Sequence, residues 1–484
     1  MPDSTVALSY AVRLRLVGRY LSQLALMLAL LTLVPLAVAL AMGEYGFGLR
    51  YALVVAALLL LAALGLRQPE PRQLQNNEAI VIVALAFVLT PLVMLFPLGA
   101  SGLPLEDLLF EAVSAVTTTG LSTAGPAEDL PSMLLFARAW MQWYGGLGIA
   151  ALSVALLMGQ HAAARRLTET TDKDDIATTA RHQARQVLLV YVSLTLLGVF
   201  LLWALLGDPF VAVTHMLSTV STGGFSTYDA SLAALPDAAA WLLMLFALLG
   251  AVPLLLYFHA AHGKARELWQ DVEVRALLLA VLLLAVLLTL TLHYQAGMAW
   301  DSALRHGLLL GASAQTTTGF ASVPVQELDD TSMLLLIFSM LIGGGSGSTA
   351  GGIKLVRLLI LLRLLQLLLR RTAMPPHAVS VAKLGGRVLE PLHAERVMLV
   401  VGLFVIVPAL SWPVFLVYGY APLDALFEVV SATGTVGLSS GISRPELETP
   451  LKLLLCFNML LGRLEVLALL VLLYPRTWIG KRVS

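Results

Sequence analysis

Charge is what this chain has least of. Asp, Glu, Lys and Arg make up 12% of its 484 residues, while 58% are hydrophobic. A soluble protein of that length needs more polar surface, so no soluble class competes. Cysteine is almost missing: the single Cys456 excludes an intramolecular disulfide, and inside an apolar run it reads as a small hydrophobe. His, Asp and Glu are sparse within the apolar runs, which argues against a membrane enzyme with convergent catalytic groups. A Gly-x-Gly-x-x-Gly motif after a strand pattern is missing as well, so the chain shows no dinucleotide-binding unit of its own.

What is present is a series of long apolar runs. Leu21–Met42, Leu53–Leu66, Ala79–Leu98, Val187–Leu206, Ala276–Leu292, Val397–Val417 and Leu451–Leu473 approach or reach bilayer-spanning length. The first is too long for a signal-peptide core and has no evident small-residue cleavage site, so it is expected to be a retained helix.

Between these runs one decapeptide recurs four times without a gap: Ser114–Thr123, Ser218–Thr227, Ser313–Ser322 and Ser431–Ser440. The shared pattern is Ser-[Ala/Thr]-x-x-Thr-x-Gly-[Leu/Phe]-[Ala/Ser]-[Thr/Ser]. Its glycines, Gly120, Gly224, Gly319 and Gly437, lie 104, 95 and 118 residues apart. Ahead of each lies an apolar stretch of about three turns, usually opened by Pro or Asp, residues favoured in a helix's first turn. Each stretch is too short to span a bilayer. The unit is therefore spanning helix, half-helix, polar extended segment, spanning helix.

Charge placement orients the units. Of the 30 Lys and Arg residues, Arg50, Arg138, Arg305, Arg444 and Lys452 fall toward one side and Arg463 within a run. The other 24 gather in 1–20, 67–77, 159–186, 261–275, 354–396 and 475–484, the segments expected inside. All four decapeptides then lie near the outer face, in one orientation. That excludes a secondary transporter built of inverted repeats. Thr168–Gln186, rich in Thr, Asp, Lys and Arg, reads as a solvated inner loop able to dock a partner.

Extended backbone at membrane depth must line a watery cavity or be buried in protein. Four such segments around a pseudo-fourfold axis would present carbonyl rings that replace a cation's hydration shell. The half-helices would aim their negative dipole ends at the cavity below. No decapeptide contains a carboxylate, which disfavours a divalent-selective ring. With these features the chain resembles the Trk-type potassium uptake membrane subunits of the Trk/Ktr/HKT superfamily. The resemblance covers nearly the whole length; two extra helices ahead of the first unit, about 19–42 and 50–67, favour the Trk type.

By that resemblance the fold is an all-α membrane protein. Four M1–P–M2 repeats, potassium-channel-like, surround a single pore and follow a two-helix N-terminal unit. The expected divisions are 1–77, 78–184, 185–272, 273–394 and 395–484. The resemblance implies a selectivity filter whose potassium-binding carbonyls belong to Thr118, Thr119 and Gly120; Thr222, Gly223 and Gly224; Thr317, Thr318 and Gly319; and Thr435, Val436 and Gly437. Relatives with serine at the first filter glycine tend to prefer sodium, and Gly120 argues against that. The family implies potassium uptake across a bacterial inner membrane by a homodimer in contact with membrane lipid. It also implies gating by a separate cytosolic nucleotide-binding, TrkA-like ring subunit, with no nucleic acid and no organic cofactor. A sodium-permeable or cation-coupled member of the same superfamily is the alternative.

Two intramembrane features stand out. Ile342–Ile353 holds six glycines in twelve residues and cannot keep a regular helix. Its spacing to Lys354 fails the phosphate-loop pattern, leaving tight helix crossing or, by resemblance, a gate beneath the filter. That gate would comprise Gly343, Gly344, Gly345, Ser346, Gly347, Gly351, Gly352 and Lys354. Arg463 is the second feature: a charge at mid-membrane costs roughly 3 kcal/mol on insertion scales and faces a cavity or partner. By resemblance it is an electrostatic barrier below the filter; a tie to helix-end carbonyls is the structural alternative. Glu465, two positions on, is no obvious mate. Glu111 and Glu428 hold the same place in units one and four, and either bond amides behind the filter or anchor the half-helix. His215 and His306 read as hydrogen-bonded packing residues.

Overall fold

The computed structural model describes residues 11–67, 75–165, 173–375, 383–385, 387–389 and 391–479. Helices dominate. The chain opens with α1 (Leu14–Ala41), α2 (Tyr45–Leu66) and α3 (Asn76–Leu98). Glu78 in the first turn of α3 accepts from the Gln75 amide, a capping arrangement, and from the Arg13 side chain at 2.8 and 2.9 Å.

The four apolar stretches are short helices: α4 (Leu105–Val116), α7 (Pro209–Val220), α12 (Trp300–Gln315) and α16 (Pro422–Gly434). Their starts follow local chemistry. Asp208 accepts from the amides of Phe210 and Val211 at 2.8 and 3.1 Å while Pro209 takes the first helical position. Pro422 opens α16 the same way. Twelve residues of α4 or α7 rise about 18 Å, well short of a bilayer core. The C-terminal halves of these helices are buried almost completely.

Around them run α5 (Ser132–Arg165), α6 (Lys173–Leu206), α8 (Asp237–Ala251), α9 (Leu254–His259), α10 (Ala265–Gln270), α11 (Val272–Tyr294), α13 (Asp330–Ile342), α14 (Leu355–Arg371) and α15 (Pro391–Val417). The chain ends with α17 (Thr449–Arg463), α18 (Leu467–Leu473) and α19 (Pro475–Trp478). A two-residue hairpin, β1 (Lys383–Leu384) with β2 (Arg387–Val388), precedes α15. Among the described residues, six helices are long and apolar enough to cross a membrane. Many of their leucines are exposed, Leu196, Leu279 and Leu410 among them, as lipid-facing surface would be.

Several expectations need correction. Leu451–Leu473 reads as one span, but the structure bends it by 113° between α17 and α18. Glu465 and Val466 at the bend have positive φ, 53° and 60°, so the helical ladder cannot continue. A second bend, of 94°, separates α8 from α9, where Pro253 has no amide hydrogen to donate. The stretch read as a loop is helical from Lys173 onward; 168–172 lie outside the described residues. The divisions drawn at 185 and 395 fall inside α6 and α15.

Candidate functional site

Each decapeptide begins inside a short helix and leaves it through a threonine in the left-handed region. Thr118, Thr222, Thr317 and Thr435 have φ of 54°, 52°, 56° and 50°. A β-branched residue rarely adopts that conformation, and the cost of about 1–3 kcal/mol persists only where the surroundings over-determine it. Here they do. The residue after each threonine donates its amide to the carbonyl of the first serine: Thr119 to Ser114 at 2.8 Å, Gly223 to Ser218 at 2.7 Å, Thr318 to Ser313 at 2.9 Å, Val436 to Ser431 at 2.9 Å. The threonines and their neighbours are fully or almost fully buried.

The glycines bring the four segments together. A Cβ at Gly120 would lie 2.2 Å from the Gly223 carbonyl oxygen, and one at Gly224 would lie 1.8 Å from that of Thr318. At Gly319 it would lie 2.0 Å from the Val436 oxygen, and at Gly437 2.2 Å from the Thr119 oxygen. All four glycines have positive φ, between 75° and 98°. Segment one thus abuts two, two abuts three, three abuts four, and four returns to one. Only a closed ring in chain order satisfies all four approaches, and only glycine fits at each.

The ring is braced from behind. Glu111 accepts from the Thr123 amide at 2.9 Å, the Ser122 hydroxyl at 2.7 Å and the Arg138 guanidinium at 2.9 Å. Arg138, on α5, also stacks over the Phe225 ring of the second segment, 4.5 Å from its centroid. Glu428 accepts from the amides of Ser440 and Ser443 and the hydroxyls of Ser439 and Ser440. Both glutamates therefore bond amides of their own segment. His215 packs between the Val211 carbonyl and the Ser226 hydroxyl, and His306 reaches the Ser322 hydroxyl at 3.1 Å. Lys452 meets Asp107 at 2.5 Å, tying α17 to α4.

The glycine-rich stretch 343–354 lies against the inner ends of these segments. Its two ends pair with each other, Ile353 donating to Leu341 at 2.9 Å and Lys354 to Ile342 at 3.0 Å. The Gly351 amide donates to the Thr317 hydroxyl at 2.7 Å, and that of Gly352 to the Gly434 carbonyl at 3.1 Å. Toward α8, Gly345 and Thr349 donate to Ala251 and Gly250 at 3.0 and 3.2 Å, and the Thr349 hydroxyl reaches the Val220 carbonyl at 3.0 Å. Gly344 packs against Ala350 and Ala251, and the Gly347 carbonyl accepts from Leu254. Glu273 accepts from the Ser346 amide at 2.5 Å, and the Lys354 ammonium donates to the Ala350 carbonyl.

Arg463 joins this loop. Its Nη1 donates to the Thr349 carbonyl at 3.0 Å, while Nε and Nη2 are buried with no partner among the described residues. The bond runs to the loop, not to a helix end. Glu465 pairs instead with Arg357 at the start of α14. Sequence reasoning missed Gln142, Gln315 and Thr349. Gln315 spans from the end of α12 to the Gly343 carbonyl at 2.7 Å. A signal for Gln142 existed in the second segment, whose Thr-Gly-Gly departs from the Thr-Thr-Gly and Thr-Val-Gly of the others.

Apolar helices of spanning length around a closed ring of buried backbone segments define a multi-pass membrane protein. The model of the TrkH family, described as cation transport proteins, matches residues 52–477, and the chain belongs to that family. It is 33% identical to the Trk system potassium uptake protein TrkI of Halomonas elongata, over 95% of this chain and 96% of that one. Identity to the Trk system potassium uptake protein TrkH of Salmonella typhimurium is 29%, over 84% of this chain and 87% of the relative. The crystal structure of the potassium transporter TrkH from Vibrio parahaemolyticus superposes with a TM-score of 0.85 at 29% identity, covering 97% of this chain and all of that one. The chain is thus a Trk-type transporter subunit, not an enzyme, and a multi-pass protein of the bacterial inner membrane.

Proposed function

We propose that this chain takes up potassium through one selective pore enclosed by four M1–P–M2 units after an N-terminal unit of α1 and α2. The filter is formed by the carbonyls of Thr118–Gly120, Thr222–Gly224, Thr317–Gly319 and Thr435–Gly437. The observation that carries this reading is the cyclic approach of each filter glycine to a carbonyl of the next segment. A ring that tight offers several carbonyl dipoles at one level and no carboxylate, which suits a dehydrated monovalent cation. Support for potassium comes from the relatives, which are Trk system potassium uptake proteins.

Gating is assigned to the loop 343–354 with Arg463. Bonded to Thr317 and to Gly434 next to Thr435, the loop blocks the inner mouth of the filter, and Arg463 adds a fixed positive charge there. A homodimer and a cytosolic nucleotide-binding, TrkA-like ring subunit complete the proposed system; the relatives' designation as a Trk system supports a partner. Rubidium and sodium uptake into proteoliposomes containing the full chain tests the reading. Rubidium should enter much faster than sodium, and equal rates would remove the potassium assignment in favour of the sodium-permeable alternative.

A further inference from the structure

Gln142 is fully buried on α5, and its side chain reaches the second filter segment. Nε2 donates to the Gly223 carbonyl at 2.6 Å, and Oε1 accepts from the Phe225 amide at 3.3 Å. Its amide also fills the space a side chain at Gly223 would need: a Cβ there would lie 2.4 Å from Gln142 Cδ. The residues equivalent to Gly223 are Thr119, Thr318 and Val436, so the side chain lost from segment two is replaced by one supplied from segment one's following helix.

Two of the other units have no counterpart. On α5, Gly145 packs on the Val116 carbonyl; Gly250 packs on that of Val220 and Gly462 on that of Thr433, which makes the three glycines equivalent. Three residues before each stand Gln142, Ala247 and Met459. An amide therefore grips one of four related carbonyls, and an apolar side chain occupies the matching place in two other units.

Building on the potassium-filter reading above, we infer that Gln142 is a specificity-determining positioning residue that holds the Gly223 carbonyl and so sets how the ring discriminates between monovalent cations. A carbonyl hydrogen-bonded to an amide is restrained and shares its lone pairs, so this ring has one tethered member among the four carbonyls at that level. Releasing it widens the range of cation radii the ring accommodates.

The test is the rubidium-to-sodium uptake ratio of full-length protein in proteoliposomes, per folded molecule by size-exclusion chromatography. Gln142→Met keeps length and removes both bonds. Gln142→Leu removes both bonds as well, with a branched apolar side chain. Both should lower the ratio by about two- to tenfold, the worth of one buried hydrogen bond. Gly223→Thr should fail beside Gln142 and be rescued by Gln142→Ala in the same chain. A wild-type ratio retained by folded Gln142→Met would overturn the inference while leaving the filter reading intact. A wild type that does not discriminate would overturn both.

Discussion

Gly351→Ala separates the proposed gating role of the loop from a packing role. Gly351 does not have positive φ, so alanine meets no backbone strain there. What it meets is the fourth ring segment: a Cβ would lie 2.2 Å from the Thr435 hydroxyl oxygen and 2.3 Å from the Gly434 carbonyl oxygen. Overpacking of that kind costs roughly 1–3 kcal/mol. The cost falls only on the conformation in which the loop touches the filter, and is relieved once the loop moves away. The closed state should therefore lose about 5- to 150-fold in population relative to an open one. Rubidium uptake per folded molecule, with the rubidium-to-sodium ratio measured in parallel, should rise at unchanged ratio. Folded protein with unchanged or slower uptake would refute the gate. Gly343 is the contrast: its φ is 72° and a Cβ would strike the Gly351 carbonyl at 2.1 Å, so Gly343→Ala should disrupt the loop itself and lower the yield of folded protein.

Arg463→Ala should raise uptake by removing both the charge and the bond to Thr349, and Arg463→Lys, which keeps the charge, should stay nearer wild type; slower transport by folded Arg463→Ala would exclude the barrier role. Gly224→Ala faces the tightest approach in the ring, 1.8 Å to the Thr318 oxygen at a φ of 75°, and should abolish ion discrimination or folding, read by uptake ratio and by chromatographic profile. Glu111→Ala leaves Arg138 buried without its carboxylate, and should cost roughly 3–5 kcal/mol, seen as a fall in the thermal midpoint of the detergent-solubilised chain.

How much of this was legible in the sequence follows from where the chemistry is written. Backbone demands are local: a left-handed turn, a close approach and a short helix each leave residues at set offsets, so four Thr-x-Gly segments and their Pro or Asp starts stand out. The glycine-rich interruption is visible for the same reason. Side-chain partners across the molecule leave no periodic trace. Arg357 and Glu465 are 108 residues apart, Gln142 and Gly223 81, and nothing in the spacing of either pair announces it. The bend after Arg463 escaped too, because Glu465 and Val466 are ordinary helix residues by composition and take positive φ only under tertiary constraint.

The four segments also serve as an internal alignment, and it shows which parts of the site tolerate change. Three residues before each first serine stand Glu111, His215, Leu310 and Glu428; at the ninth place stand Ser122, Ser226, Ala321 and Ser439. Where the first position is polar, it bonds the serine: Glu111 to Ser122, His215 to Ser226, Glu428 to Ser439. Where it is leucine, the serine has become alanine. A lone Leu310 facing a serine would leave a hydroxyl without that partner, and a lone glutamate facing alanine would leave a buried charge short of a donor. The two places therefore change together, by polar pair or by apolar pair. The ring residues vary less: threonine, a small or β-branched residue, then glycine in every unit. At the brace a hydrogen bond and an apolar contact substitute for one another, while the ring contact leaves room for glycine alone.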